Sequence, residues 1–195
     1  MNFRRICVFC GSNSGTDPAY RDSAIHLGRL LAKRRIELVY GGGNVGLMGV
    51  LADSVLEANG RVIGVIPESL MAKEVGHLGL TDLRIVKSMH ERKALMADLS
   101  DGFIALPGGF GTFEEFCEVV TWSQLGIHSK PCGLLNVNGY YDPLLELFDH
   151  AVREGFLRKE NRRLVLEDRD SEQLLEKMAA FAPIPADKWI WEVER

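Results

Sequence analysis

Along the chain, short apolar runs alternate with longer stretches in which apolar residues recur at helical spacing. The runs Arg5–Cys10, Glu37–Gly41, Arg61–Ile66, Leu83–Val86, Gly102–Leu106, Cys132–Val137 and Leu164–Leu166 are rich in β-branched and aromatic residues and read as strands. Between them the pattern predicts helices at Pro18–Arg34, Gly46–Asn59, Met89–Ser100, Thr112–Leu125, Asp142–Glu154 and Ser171–Phe181. Strands and helices that alternate in this way predict an α/β fold, a doubly wound (Rossmann-like) parallel sheet with helices on both faces. The run Val62-Ile63-Gly64-Val65-Ile66 has no polar face, which fits a strand covered on both sides. Residues 1–181 are expected to form a single domain. Residues 182–195, with Pro183, Pro185, Trp189 and Trp191, read as a tail packed on the body or on a partner subunit. Pro67–Thr81 lacks a clear period and is the longest expected loop. Glu74 and His77 stand in it, solvated by default but in a segment long enough to be functional.

Charge and cysteine usage narrow the field. The 23 basic and 27 acidic residues leave a formal net charge of −4, which argues against nucleic acid or an anionic membrane as partner. No apolar run approaches the ~20 residues that span a bilayer. Met1–Arg5 leads into the first strand without a signal-peptide layout, so the cytoplasm is the expected compartment. Cys7 and Cys10 have redox-pair spacing, but residues three apart on a strand point to opposite faces. They read as structural thiols, and no cluster has the spacing of a metal site.

In a doubly wound sheet, ligands bind beyond the carboxyl ends of the strands. Three strand-to-helix turns are glycine-rich here: Cys10–Gly15, Gly41–Gly49 and Pro107–Glu115. Each can present bare backbone N–H groups to an anion at a helix N-terminus, where the helix dipole adds attraction. Ser12, Gly42, Gly43 and the third loop are therefore candidate contacts to a phosphate-bearing ligand. Gly41, Gly43 and Gly46 match G-x-G-x-x-G formally. The motif follows the second strand, however, and Pro67 alters the strand exit just before the acidic Glu68, which counts against a dinucleotide site. No Gly-Lys-Ser/Thr occurs, so a Walker loop is absent.

Two charged residues stand out. With Thr112 at the N-cap, Glu115 falls at N3 and the two form a capping box. Glu115 also lies off the face expected to be buried, that of Phe113, Phe116, Cys117 and Val120. It is thus either a helix cap or an acid facing the glycine loop. Glu114 points about 100° away around the helix, so only one of the two can face a given ligand. Ser88–Glu91 forms another capping box, at the start of the helix carrying Arg92. Arg92 lies in line with Leu95, Met96 and Leu99, and a cation continuing an apolar face needs a ligand anion or a carboxylate such as Glu115. Lys93 and His90 read as surface residues from spacing alone.

The segment Pro107-Gly108-Gly109-Phe110-Gly111-Thr112-Phe113-Glu114-Glu115 resembles the PGGxGTxxE signature of the LONELY GUY (LOG) family, cytokinin riboside 5′-monophosphate phosphoribohydrolases once labelled lysine decarboxylases. Met89–Lys93, Gly41–Gly49 and Thr121–His128 are similar to the family as well, and the resemblance covers nearly the whole chain. It implies an enzyme that cleaves a purine (cytokinin riboside or adenosine) 5′-monophosphate to free base and ribose 5-phosphate. Arg92 and Glu115 match the catalytic arginine and glutamate. Lys93, the loop residues Gly109, Phe110, Gly111, Thr112, Phe113 and Glu114, and Thr121 match nucleotide contacts, and Glu74 aligns with a substrate-binding glutamate. The resemblance further implies a homodimer with its site near the subunit interface, and no metal or cofactor. Two other readings stay open. A nucleotide or molybdenum-cofactor carrier would keep the glycine loop without needing the Arg92–Glu115 pair. A pyridoxal phosphate decarboxylase would need a Schiff-base lysine, and no lysine stands in a context that suggests one.

Overall fold

Strand β1 (Arg5–Phe9) shows how the sequence builds both halves of the core. Its residues alternate in direction, so Ile6 and Val8 pack on one face of the sheet while Cys7 and Phe9 pack on the other. A computed structural model describes residues 2–71 and 76–183. In it β1 is followed by β2 (Glu37–Tyr40), β3 (Val62–Pro67), β4 (Asp82–Val86), β5 (Gly102–Ala105), β6 (Cys132–Leu135) and β7 (Val165–Asp168). All pair in parallel, in the order β4-β3-β2-β1-β5-β6-β7.

The helices are α1 (Pro18–Lys33), α2 (Gly46–Glu57), α3 (Glu68–Met71), α4 (Met89–Leu99), α5 (Phe110–Gln124), α6 (Asp142–Arg153), α7 (Lys159–Arg162) and α8 (Ser171–Ala179). Helices α1, α2 and α8 cover the face of Ile6 and Val8, and α4, α5 and α6 cover the face of Cys7 and Phe9. This is the doubly wound fold expected from the sequence. Several ends are set by local chemistry. The Asp17 carboxylate caps α1 by accepting from Ala19 N–H, and Asp170 caps α8 through Gln173 N–H. Ser88 caps α4 by accepting from Glu91 N–H, while the Glu91 carboxylate accepts from Lys87 N–H. Cys7 and Cys10 join opposite core layers, and all four cysteines are free.

Three details differ from the sequence expectation. Helix α5 begins at Phe110 with Gly109 as N-cap, so Thr112 caps nothing and the Thr112–Glu115 capping box does not form. Glycine can start a helix without a side-chain acceptor, and Thr112 turns inward instead. The buried stripe of α5 is Thr112, Phe116, Val119 and Ser123, with Phe113, Cys117 and Val120 only half-buried. Glu115 flanks that stripe instead of lying off it. The long loop is also more structured than expected: α3 occupies its start, and Gly76 forms a β-bridge with Gly43. The expected tail falls outside the described residues from position 184 onward.

The chain winds outward from β1 through β4, then returns to β5 beside β1. The turns after β1 and β5 therefore diverge and open a crevice between them. The second glycine turn closes against this crevice at Gly46, whose φ is +58° and whose added Cβ would sit 2.3 Å from the Ser12 carbonyl carbon. Gly46→Ala is expected to cost about 2–4 kcal/mol through backbone strain and overlap. Chemical denaturation checks this, and an unfolding midpoint equal to that of the native protein would show that the turn can move aside.

Candidate active site at the sheet crest

A cavity of about 200 Å³ lies over the carboxyl ends of β1 and β2, walled by Phe9–Ser12, Gly41, Met48, Arg92, Met96, Gly109–Thr112 and Glu115. A second chamber of about 300 Å³ shares Gly11, Ser12 and Gly109 with it and is closed by Tyr20, Leu47 and Tyr140.

Helix α4 carries Arg92 inward on the same face as Met96. Its Nε donates to Val65 O at 3.1 Å, its Nη2 to Gly41 O at 3.4 Å and its Nη1 to Met89 Sδ at 3.3 Å. The guanidinium fits because position 41 is glycine: an added Cβ would lie 2.0 Å from Nη2. Opposite, Glu115 Oε1 stands 3.5 Å from Nη1, and the two side chains are only 10% and 12% exposed. Burial pushes the Glu115 carboxyl up to about 7, against the pull of the Arg92 cation and with a further upward push from Glu114.

The third glycine turn opens directly onto this pair. Gly109 caps α5 without a side-chain bond, so the N–H groups of Phe110, Gly111 and Thr112 have no intrahelical acceptors, and these three residues line the cavity. The glycines here have different causes. At Gly108 an added Cβ would strike Thr112 Oγ1 and the Gly11 backbone, so packing demands glycine. At Gly109 and Gly111 it would meet nothing within 4 Å, and neither residue has positive φ. Folding does not require glycine there, whereas a ligand lying against the amides would. Behind the turn, Tyr140 Oη donates to Gly108 O and Tyr141 Oη to Leu106 O.

Of the expected site residues, the structure gathers Ser12, Arg92, Gly109, Phe110, Gly111, Thr112 and Glu115 around one cavity. Phe110 is 92% exposed at its rim. The others lie elsewhere. Gly42, at φ +76°, is buried against Ile66, and Gly43 forms the bridge to Gly76. Phe113 packs on Tyr140 and Tyr141. The Thr121 hydroxyl donates to Cys117 O on the outer side of α5. Lys93 and Glu114 pair with each other away from the cavity wall. Glu74 lies outside the described residues. His77 is buried, not solvated: Nδ1 accepts from Gly79 N–H, and Nε2 lies 2.9 Å from Asp53 Oδ1 on α2. The role of Gly41 was hidden within an apparent dinucleotide motif, and Met48 carries no sequence signal beyond an apolar helix position. No cluster of metal-ligating side chains occurs among the described residues.

This fold and crest define an α/β, Rossmann-like protein with a glycine-rich loop over a charged crest cavity. A family model described as "Possible lysine decarboxylase" matches residues 48–178. The chain is 55% identical to the probable cytokinin riboside 5′-monophosphate phosphoribohydrolase LOGL1 of Oryza sativa subsp. japonica, over 92% of this chain and 80% of that protein. It is 50% identical to the cytokinin riboside 5′-monophosphate phosphoribohydrolase LOG3 of Arabidopsis thaliana, over 99% of this chain and 91% of the relative. Among solved structures, the molybdenum cofactor binding protein of Rippkaea orientalis shares the fold at 23% identity and a TM-score of 0.69, over 92% of this chain and 98% of that one. The chain belongs to the LOG family.

The raised Glu115 pKa has a consequence for stability. Its folded-state value exceeds the ordinary glutamate value, so its contribution is fully present below about pH 4.5 and is lost as pH rises through about 7. Glu115→Gln is therefore expected to be more stable than the native protein at pH 8, by roughly 3 kcal/mol at 1.36 kcal/mol per pH unit, and equal to it near pH 4. Denaturant titrations at both pH values check this. A less stable variant at pH 8 would mean that Glu115 is there to hold the fold.

Proposed function

We propose that the chain hydrolyses the N-glycosidic bond of a purine nucleoside 5′-monophosphate, a cytokinin riboside or adenosine 5′-monophosphate, giving free base and ribose 5-phosphate. The observation that carries this is the buried Arg92–Glu115 pair, 3.5 Å apart, beneath a helix end whose Gly109 and Gly111 are required by neither packing nor backbone conformation. The printed activities of relatives at 50–55% identity support the same reading.

The chemistry follows from the site. The 5′-phosphate lies against the α5 amides and Ser12, where the helix dipole favours an anion. This places the ribose over Glu115. As the C1′–N9 bond breaks, positive charge develops at C1′ and the departing base takes the bonding electrons. The Glu115 carboxylate stabilises that cation and accepts a proton from the water whose oxygen bonds to C1′. The Arg92 guanidinium offsets charge on the base, and a proton from solvent completes it. The working unit in this reading is a cytosolic homodimer. The free cysteines fit a reducing compartment, and the exposed Leu147 and Phe156 offer apolar surface for a second copy.

Purified protein should release adenine or N6-isopentenyladenine from the 5′-monophosphates, read by chromatography, and act on adenosine at least about 100-fold more slowly for want of the phosphate contacts. Glu115→Gln should lose about 100-fold or more in turnover while still folding. Because the ionised carboxylate is the working form, kcat/KM should rise with pH and level off above about 7. Tight AMP binding without product would instead make the chain a nucleotide carrier.

A further inference from the structure

The second glycine turn, Gly41–Gly43, reaches the cavity wall through Gly41, yet each of its three carbonyls is held by a donor. Gly41 O accepts from Arg92 Nη2 at 3.4 Å, Gly42 O from the His77 N–H at 3.1 Å and Gly43 O from the buried Tyr40 hydroxyl at 3.2 Å. Gly76 adds the β-bridge to Gly43, so Gly76 and His77 run antiparallel to the turn. The His77 side chain is 10% exposed and stands outside the cavity wall. Its Nδ1 accepts from Gly79 N–H at 3.2 Å, so Nε2 carries the hydrogen and donates to Asp53 Oδ1, 2.9 Å away. A position filled for packing alone would take an apolar side chain. The imidazole instead ties one nitrogen to its own segment and the other to α2, the helix that follows the turn.

We propose that His77, latched by Asp53, is a positioning residue for Arg92: it holds the second glycine turn in the conformation that keeps Gly41 O on the guanidinium. The proposal rests on the reading of Arg92 and Glu115 as the catalytic pair. Three consecutive glycines have more backbone freedom to lose than any other tripeptide. Gly42, at φ +76°, can leave that conformation at little intrinsic cost, and the peptide that carries Gly41 O would turn with it. Arg92 holds that carbonyl weakly, because a donor–acceptor distance of 3.4 Å is long for an N–H···O bond. The firmer grip comes from the His77 N–H on the next carbonyl, and the ring keeps that N–H in place through Asp53 and Gly79. Without the latch, Nη2 loses an acceptor and the guanidinium is freer to swing relative to Glu115.

The test reads Arg92 directly, by nitrogen-15 NMR of the exchange of its Nε–H with water in the ligand-free protein, beside kcat and KM with AMP. It compares His77→Ala, His77→Gln, Asp53→Ala and Asp53→Asn, with Asp170→Ala as a remote control that removes the cap of α8. His77→Ala should speed Arg92 Nε–H exchange about tenfold or more and lower kcat about tenfold, with KM changed less than about twofold. Asp53→Ala should move both in the same direction by about threefold, because a half-exposed acceptor holds the ring less firmly. Asp53→Asn should behave as native, since its amide oxygen accepts the same hydrogen, and His77→Gln should recover most of the lost kcat by donating to Asp53. Asp170→Ala should leave exchange and kcat native. Native exchange and kcat in both His77→Ala and Asp53→Ala would overturn the proposal. An equal loss in Asp170→Ala would reduce the effect to general instability and overturn it too. A tenfold or larger rise in KM for His77→Ala with kcat unchanged would place this segment against the substrate, which also overturns it. Asp53→Ala keeps the question decidable if His77→Ala does not fold. The NMR measurement reads Arg92 whether or not the protein turns over. Failure of the catalytic reading would appear separately, as native turnover in Glu115→Gln.

Discussion

A guanidinium held almost entirely out of water sets the terms for everything around it. Taking such a charge out of water costs several kcal/mol unless its N–H groups find acceptors. Arg92 finds them in the carbonyls of Val65 and Gly41, at the carboxyl ends of β3 and β2, and in the facing Glu115. The parallel sheet supplies those carbonyls at one edge because every strand ends on the same side. Helix α4 supplies the arginine because its first turn continues the face that Met96 buries deeper in. The carboxylate then comes from the neighbouring helix across the strand-order reversal. So close a cation alone would keep the facing carboxylate ionised well below neutrality, yet burial dominates at Glu115 and raises its pKa to about 7.

The architecture was legible in the sequence because burial on both faces writes itself into composition. All seven strands and the six long helices fall where apolar runs and helical periods place them. Arg92 was legible for a related reason, since a cation in an apolar stripe contradicts its surroundings. The start of α5 was not, because the capping-box pattern Thr-x-x-Glu is local and the actual cap, Gly109, has no side chain to announce it. The burial of Lys93 was hidden for another reason: its carboxylate partners lie on a different helix, more than 20 positions away, and periodicity carries no such information. His77 is similar, pinned by Asp53 on α2.

The glycines show how one residue type can answer different demands within a single crest. Gly46 is fixed by positive φ and a close backbone approach, Gly41 by the guanidinium beside it and Gly108 by Thr112. Gly109 and Gly111 answer to none of these. A fold shared at 23% identity with a molybdenum cofactor binding protein therefore says little about chemistry. The distinction lies in which glycines the polypeptide itself needs, and in the charged pair set beneath those it does not.

The paired tyrosines at the start of α6 carry a last implication. By donating to Gly108 O and Leu106 O, Tyr140 and Tyr141 brace the third glycine turn. Glycine-rich segments ordinarily surrender about 1–2 kcal/mol of backbone freedom per residue when something immobilises them. Here two phenolic hydroxyls have already removed much of that freedom before any anion arrives. A ligand that settled on this turn would meet a seat whose shape is set in advance, so its attraction to the amides would go into holding the guest and not into stiffening the host.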